Sequence, residues 1–266
     1  MSSTDLFGTP SGNAVVVALD HGLSLGAPAG FEDPVPTLEA VLAGDPDAVL
    51  VGPHFARRYR DRLDDAGVAT VLTADVVTWS TRPGRDDGAD IWTPAFEPSL
   101  LRDLDPAGVK TVLVFGRDDA DTFRRNVAYV GELAERLRDT GIATVVEPVQ
   151  WGERIPDALE TDPDYVADAL RMGWEFGADV LKAPYTGSVE SFEPIVSNAP
   201  VPVMVLGGPA TGTTRELLSS VEGAMAAGAR GLMIGRGIWK SADPERTVSA
   251  LRDIVHEGAT VEEVWE

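Results

Sequence analysis

Eight short aliphatic, mostly β-branched runs, each followed by room for a helix, constrain this chain more than any other feature. They are Ala14 to Leu19, Ala48 to Val51, Ala69 to Thr73, Thr111 to Phe115, Ala143 to Val146, Asp179 to Leu181, Val201 to Leu206 and Gly231 to Ile234. The stretches between them carry a helical apolar period, most clearly from Asp118 to Asp139, Asp162 to Phe176, Thr213 to Ala227 and Asp243 to His256. Strands that are apolar on both faces and alternate with helices belong in a parallel sheet. Eight such units in 266 residues point to one (β/α)₈ TIM barrel filling the whole length as a single α/β domain. No G-x-G-x-x-G follows the first run, so a doubly wound dinucleotide fold lacks its usual mark.

One stretch breaks the rhythm. Thr78 to Pro98, rich in Gly, Pro, Asp and Trp, is longer than an ordinary βα connection. It reads either as a functional loop over the barrel mouth or as a solvated insertion that packs Trp79 and Trp92.

In a barrel the chemistry collects at the C-terminal ends of the strands. The residues closing the runs are Asp20 with His21, Gly52 to His54, Asp75, Gly116 with Arg117, Glu147, Lys182, Gly207 with Gly208, and Gly235 with Arg236. Here composition matters: of 22 basic residues only Lys110, Lys182 and Lys240 are lysine. Lys110 stands at the start of its run, on the stability face, and Lys240 lies past the last strand on a helical turn. Lys182 ends a strand in "ADVLKAPY", where apolar neighbours favour the uncharged amine. A neutral amine there can condense with a ketone to give an iminium, an electron sink for making or breaking a carbon–carbon bond. The plainer alternative is an ion pair with an inward carboxylate, Asp20 or Glu147.

The seventh and eighth runs close in "VLGGP" and "IGRG", where many barrels hold phosphate on backbone N–H groups. Gly207, Gly208 and Gly235 are the candidate phosphate turns, and Arg236 offers a two-pronged donor. Asp20 and Glu147 supply carboxylates for proton transfer or for structural pairing. His21, His54, Trp151 and Tyr185 are further candidates at the mouth. Three scattered histidines and no cysteine leave no metal site, disulfide or thiol nucleophile to expect, and no cofactor is implied. Neither G-x-S-x-G nor a Walker A pattern is present.

A net charge of -21 repels nucleic acid and anionic membranes. No apolar run reaches bilayer length and the first residues carry no signal-like segment, so a cytoplasmic location is the expectation. The acidic, lysine-poor surface fits a high-salt cytosol.

With these residues assembled, the chain resembles the archaeal-type class I aldolases of the DeoC/FbaB superfamily, the group of fructose-bisphosphate aldolase and 2-amino-3,7-dideoxy-D-threo-hept-6-ulosonate synthase. The matching segments are "VALDHGLSLGAP" from Val17, "GADVLKAPYTG" from Gly177, and the stretch from Pro202 to Ser241. The resemblance implies Lys182 as the Schiff-base residue, Asp20 as an active-site carboxylate, and Gly207, Gly208, Gly235 and Arg236 as holders of a substrate phosphate. It implies no metal, a small phosphorylated sugar as substrate and a homo-oligomer. One departure stands out. The family's strand-five tyrosine, its proton donor, falls on Val149, and an arginine falls on Trp151. "Glu-Pro-Val" at Glu147 is instead similar to tagatose-bisphosphate and sulfofructose-phosphate aldolases, where a glutamate relays protons.

The expectation is therefore a metal-independent Schiff-base aldolase of a phosphorylated ketose, with fructose 1,6-bisphosphate first. The heptulosonate synthase, a sulfofructose- or tagatose-phosphate aldolase, a thiolase-like transferase of the same superfamily and a non-catalytic sugar-phosphate-binding barrel are the alternatives.

Overall fold

The computed structural model describes residues 5–78, 91–152, 154–156, 159–207 and 212–266. Its strands in chain order are β1 (Ala14–Ala18), β2 (Ala48–Val51), β3 (Ala69–Thr73), β4 (Asp75–Thr78), β5 (Ile91–Pro94), β6 (Gly108–Val114), β7 (Ala143–Val149), β8 (Val180–Ala183), β9 (Val203–Leu206) and β10 (Gly231–Ile234). Eight of them close into a parallel barrel in the order β1-β10-β9-β8-β7-β6-β3-β2. The register runs continuously around the ring, from Val16 opposite Ala48 to Val17 opposite Ile234. Helices lie between the strands, so the (β/α)₈ expectation holds.

The strands alternate side chains between two apolar sets, as the period of two requires. In β1, Val15 and Val17 join the layer beneath the helices, with Leu38, Leu133, Leu218 and Leu251. Ala14, Val16 and Ala18 face the barrel interior with Leu50, Val71, Val145, Val180, Met204 and Met233. Leu6, ahead of the first strand, packs into this inner set at the N-terminal end and plugs it.

The helices begin where their caps dictate. Asp119 accepts from the N–H of Asp121 and Thr122 ahead of Ala120–Leu137, and Asp162 caps Pro163–Glu175 in the same way. Thr213 and Glu216 form a reciprocal capping box ahead of Thr214–Ala226. The last predicted helix ends early: Pro244–Arg252 is α-helical, and Asp253–Glu257 widens into a π turn stopped by Gly258 in the left-handed region. That turn brings His256 Nε2 to 2.9 Å from Asp47 Oδ2 and its Nδ1 to 2.7 Å from Ser11 Oγ. Asp47 Oδ2 also accepts from the N–H of Val15. The segment before β1, the start of β2 and the final turn are thereby clamped together on the N-terminal face.

Part of the long irregular stretch is ordered. Ile91–Pro94 pairs antiparallel with Asp75–Thr78 in a two-stranded ribbon above β3, while residues 79–90, Trp79 among them, lie outside the described residues. No helix among the described residues is long and apolar enough to cross a membrane.

Candidate active site

Three charged side chains from adjacent strands meet in the cavity at the C-terminal mouth. Glu147 Oε2 on β7 lies 3.0 Å from Lys110 Nζ on β6 and 3.0 Å from Lys182 Nζ on β8. All three are buried. Burial alone would raise the Glu147 carboxyl, but the two ammonium groups pull it down to about 2. Burial alone would lower Lys110, yet Glu147, Asp75 and Asp20 carry it above its usual value.

Two expectations need correcting. Lys110 does not stand on the stability face, because β6 begins at Gly108, three residues before the apolar run suggested, and Lys110 lies within it facing the cavity. Lys182 is not surrounded only by apolar groups, since its ammonium shares a carboxylate with Lys110. The ion pair weighed as the plainer alternative is present. It does not remove the chemical reading, because one carboxylate serving two lysines keeps a counter-charge when either loses its proton.

Asp20, His21, Lys182, Gly207, Gly235, Arg236 and Trp151 line this same cavity. Burial lowers His21, Asp20 opposes that effect, and Arg236 and Lys182 reinforce it, so the ring is held toward its neutral form. His21 Nδ1 sits 3.6 Å from Asp20 Oδ1, and the imidazole meets Trp239 edge-on at 5.5 Å. A Cβ on Gly235 would lie 2.4 Å from His21 Cε1 and 2.5 Å from the Ala18 carbonyl oxygen. Glycine is thus required there by packing, whatever the backbone binds. At Gly207 a Cβ would press on Ile234 at 2.7 Å. Arg236 opens the short helix Arg236–Trp239. Gly208 lies outside the described residues.

Two candidates sit elsewhere. His54 is exposed on the helix Pro53–Arg58, edge-on to Phe96. Tyr185 lines a neighbouring cavity with Gly207, Thr213 and Glu216. Val149 joins Val77, Trp92, Val112 and Val114 in an apolar cluster on the far side of the mouth, with Trp151 packed on it.

Asp75 closes the third apolar run, and the sequence alone assigns it no task. Its carboxyl is wholly buried and lines the cavity. Oδ2 accepts from Trp92 Nε1 at 2.9 Å, Thr111 Oγ1 at 2.7 Å and the Val112 N–H at 2.9 Å. The signal for it was an acidic residue at the end of an apolar run with a tryptophan 17 positions on.

Known proteins resemble this chain over nearly its whole length. Residues 14–241 match the DeoC/LacD family aldolases. The chain is 31% identical over 264 residues to an uncharacterized aldolase of Saccharolobus solfataricus, covering 95% of this chain and 93% of that one. It is 33% identical over 248 residues to the 2-amino-3,7-dideoxy-D-threo-hept-6-ulosonate synthase of Halobacterium salinarum, covering 93% and 88%. A solved archaeal fructose-1,6-bisphosphate aldolase, with its catalytic lysine bound to the carbinolamine intermediate, superposes with a TM-score of 0.80 at 26% identity over 94% of this chain and 96% of that one.

Proposed function

The chain belongs to the DeoC/LacD family of aldolases, and on that premise we propose that it is a class I aldolase that cleaves or forms a phosphorylated ketose through a Schiff base on Lys182. The observation that carries this reading is Glu147 bridging two buried lysines in a cavity that also holds Arg236 and Asp20.

The chemistry follows from the charges. Lys182 gives up a proton and adds to the C2 carbonyl; that proton and a second from the nitrogen pass to the carbonyl oxygen, which leaves as water, and an iminium remains. Lys110, still an ammonium ion, keeps Glu147 neutralised while Lys182 is uncharged. Glu147, ionised at rest, takes the proton from the C4 hydroxyl. The C3–C4 bond breaks, its electron pair passes into the enamine, and an aldehyde leaves. The proton returns to C3, and water releases the ketone and frees Lys182. The iminium is itself the electron sink, so no step calls for a metal. Asp20 orients substrate hydroxyls, and Arg236 with the turns at Gly207 and Gly235 grips the phosphate.

Fructose 1,6-bisphosphate is the first substrate to assay, because a solved neighbour with this fold acts on it. A second reading, cleavage of a tagatose- or sulfofructose-type phosphate, is favoured by Glu147 and Val149 in place of a strand-five tyrosine. Borohydride trapping with dihydroxyacetone phosphate tests the shared chemistry. The adduct is expected on Lys182 and absent from a folded Lys182→Met variant. An adduct on Lys110 would exchange the lysines' roles, and none at all would favour a binding module.

A further inference from the structure

The barrel order gives the mouth two opposite sides. β9 and β10, whose turns carry Gly207, Gly235 and Arg236, stand across the closed ring from β3 and β6. Where β3 gives way to the ribbon, Asp75 reaches over to β6 and bonds the Val112 N–H and the Thr111 hydroxyl, while Trp92 closes on it from β5. Three donors converge on Oδ2 and fix the carboxyl group in one orientation. Oδ1 is buried and has no hydrogen-bond partner among the described residues. A strut tying β3 to β6 needs only the first oxygen, and leaving the second unpaired is costly. The residue lines the cavity that holds Lys182, next to the apolar surface of Val77, Val112 and Trp151.

We propose that Asp75 determines specificity by hydrogen-bonding a hydroxyl on the half of the ketose that leaves as the aldehyde. This rests on the Schiff-base reading, because Lys182 and the phosphate turns set the direction of the substrate. With the phosphate at β9 and β10 and C2 over Lys182 on β8, the carbons beyond the breaking bond extend toward β6 and β3. There they meet valine, tryptophan and one unsatisfied carboxyl oxygen. The apolar surface excludes water, so a hydroxyl that pairs with Oδ1 is distinguished from a hydrogen that cannot. Burial raises the Asp75 carboxyl and Lys110 opposes it; a hydroxyl can donate to the ionised group or accept from the neutral one.

The test is condensation with dihydroxyacetone phosphate, comparing kcat/KM for glycolaldehyde with that for acetaldehyde, which differs by the one hydroxyl. The wild-type protein is expected to prefer glycolaldehyde by roughly 10- to 100-fold. Asp75→Asn keeps an acceptor for the three donors but replaces Oδ1 by an amide, and the preference should fall at least about fivefold as the charge-assisted bond is lost. Trapping of dihydroxyacetone phosphate on Lys182 should stay at the wild-type level. Trp92→Phe, which loosens the carboxyl without removing it, should erode the preference in the same direction and serves if the asparagine variant does not fold. An undiminished preference in the folded variants, or equal use of the two aldehydes by the wild type, overturns the role of Asp75. If the wild type traps no dihydroxyacetone phosphate, the Schiff-base reading itself fails, and Asp75 falls with it.

Discussion

In the proposed mechanism an amine that attacks a carbonyl and an ammonium ion that stays charged are the same residue type, told apart by their neighbours. Lys110 is enclosed by Glu147, Asp75 and Asp20, whereas Lys182 shares Glu147 from β8, the strand beside β9. Glu147→Gln should therefore lower kcat by roughly 10²- to 10⁴-fold, the usual range for a lost acid–base group. It should also take from Lys182 and Lys110 the carboxylate they share, leaving Lys110 only Asp75 and Asp20. A carboxylate held at about 2 in the folded chain against an ordinary 4.5 stabilises the fold fully above pH 4.5, and that contribution fades as pH falls toward 2. The stability gap between wild type and Glu147→Gln, measured by denaturant unfolding, is expected to be wide at pH 7 and to narrow at pH 3. An equal gap at both would mean that Glu147 is not held as an anion by its lysines. Lys182, Glu147 and Asp20 were legible as residues that close apolar runs. Lys110 was not, because Gly108 hid the true start of β6 and a long side chain reaches the mouth from low on its strand. Asp75 was visible, but its surroundings were not, since they come from β5 and β6 as well as its own segment.

At the scale of the elements, the strands and main helices read out directly because burial on both faces leaves runs such as "AVLV" with little alternative. β2, β3 and β10 coincide with their runs to the residue. β7 continues three residues beyond its run, through Glu147 and Pro148 to Val149, because β6 pairs with it all the way to Val114. The π turn at Asp253–Glu257 left no mark, since its apolar spacing still passes for helix. Its consequence is the clamp of His256 with Asp47 and Ser11. His256→Ala should cost about 1 kcal/mol by removing its bonds to part-buried Asp47 and exposed Ser11, seen as a lower thermal midpoint with kcat unchanged. A fall in kcat comparable to that of Glu147→Gln would show that the two ends of the barrel are coupled.

For the molecule as a whole, 43 acidic against 22 basic residues make self-repulsion a long-range term. Exposed pairs such as Arg136 with Glu132 and Arg171 with Glu175 offset it only locally. Raising KCl from 0.1 to 2 M shortens the Debye length to a few ångströms and should lift the thermal midpoint by roughly 4–8 °C, if about 2 kcal/mol of repulsion is relieved. A midpoint indifferent to salt would refute the high-salt reading of the composition. The Leu6 plug and the His256 clamp lie at the end of the barrel away from the reaction. The cavity wall formed by Val77, Val112 and Trp151 lies at the other. On the proposed reading, such a division lets the mouth drift in sequence while the foundation stays put, so the aldehyde a descendant accepts can change without a new fold being invented. Heritable variation in these three side chains would then be the raw material from which neighbouring specificities are selected.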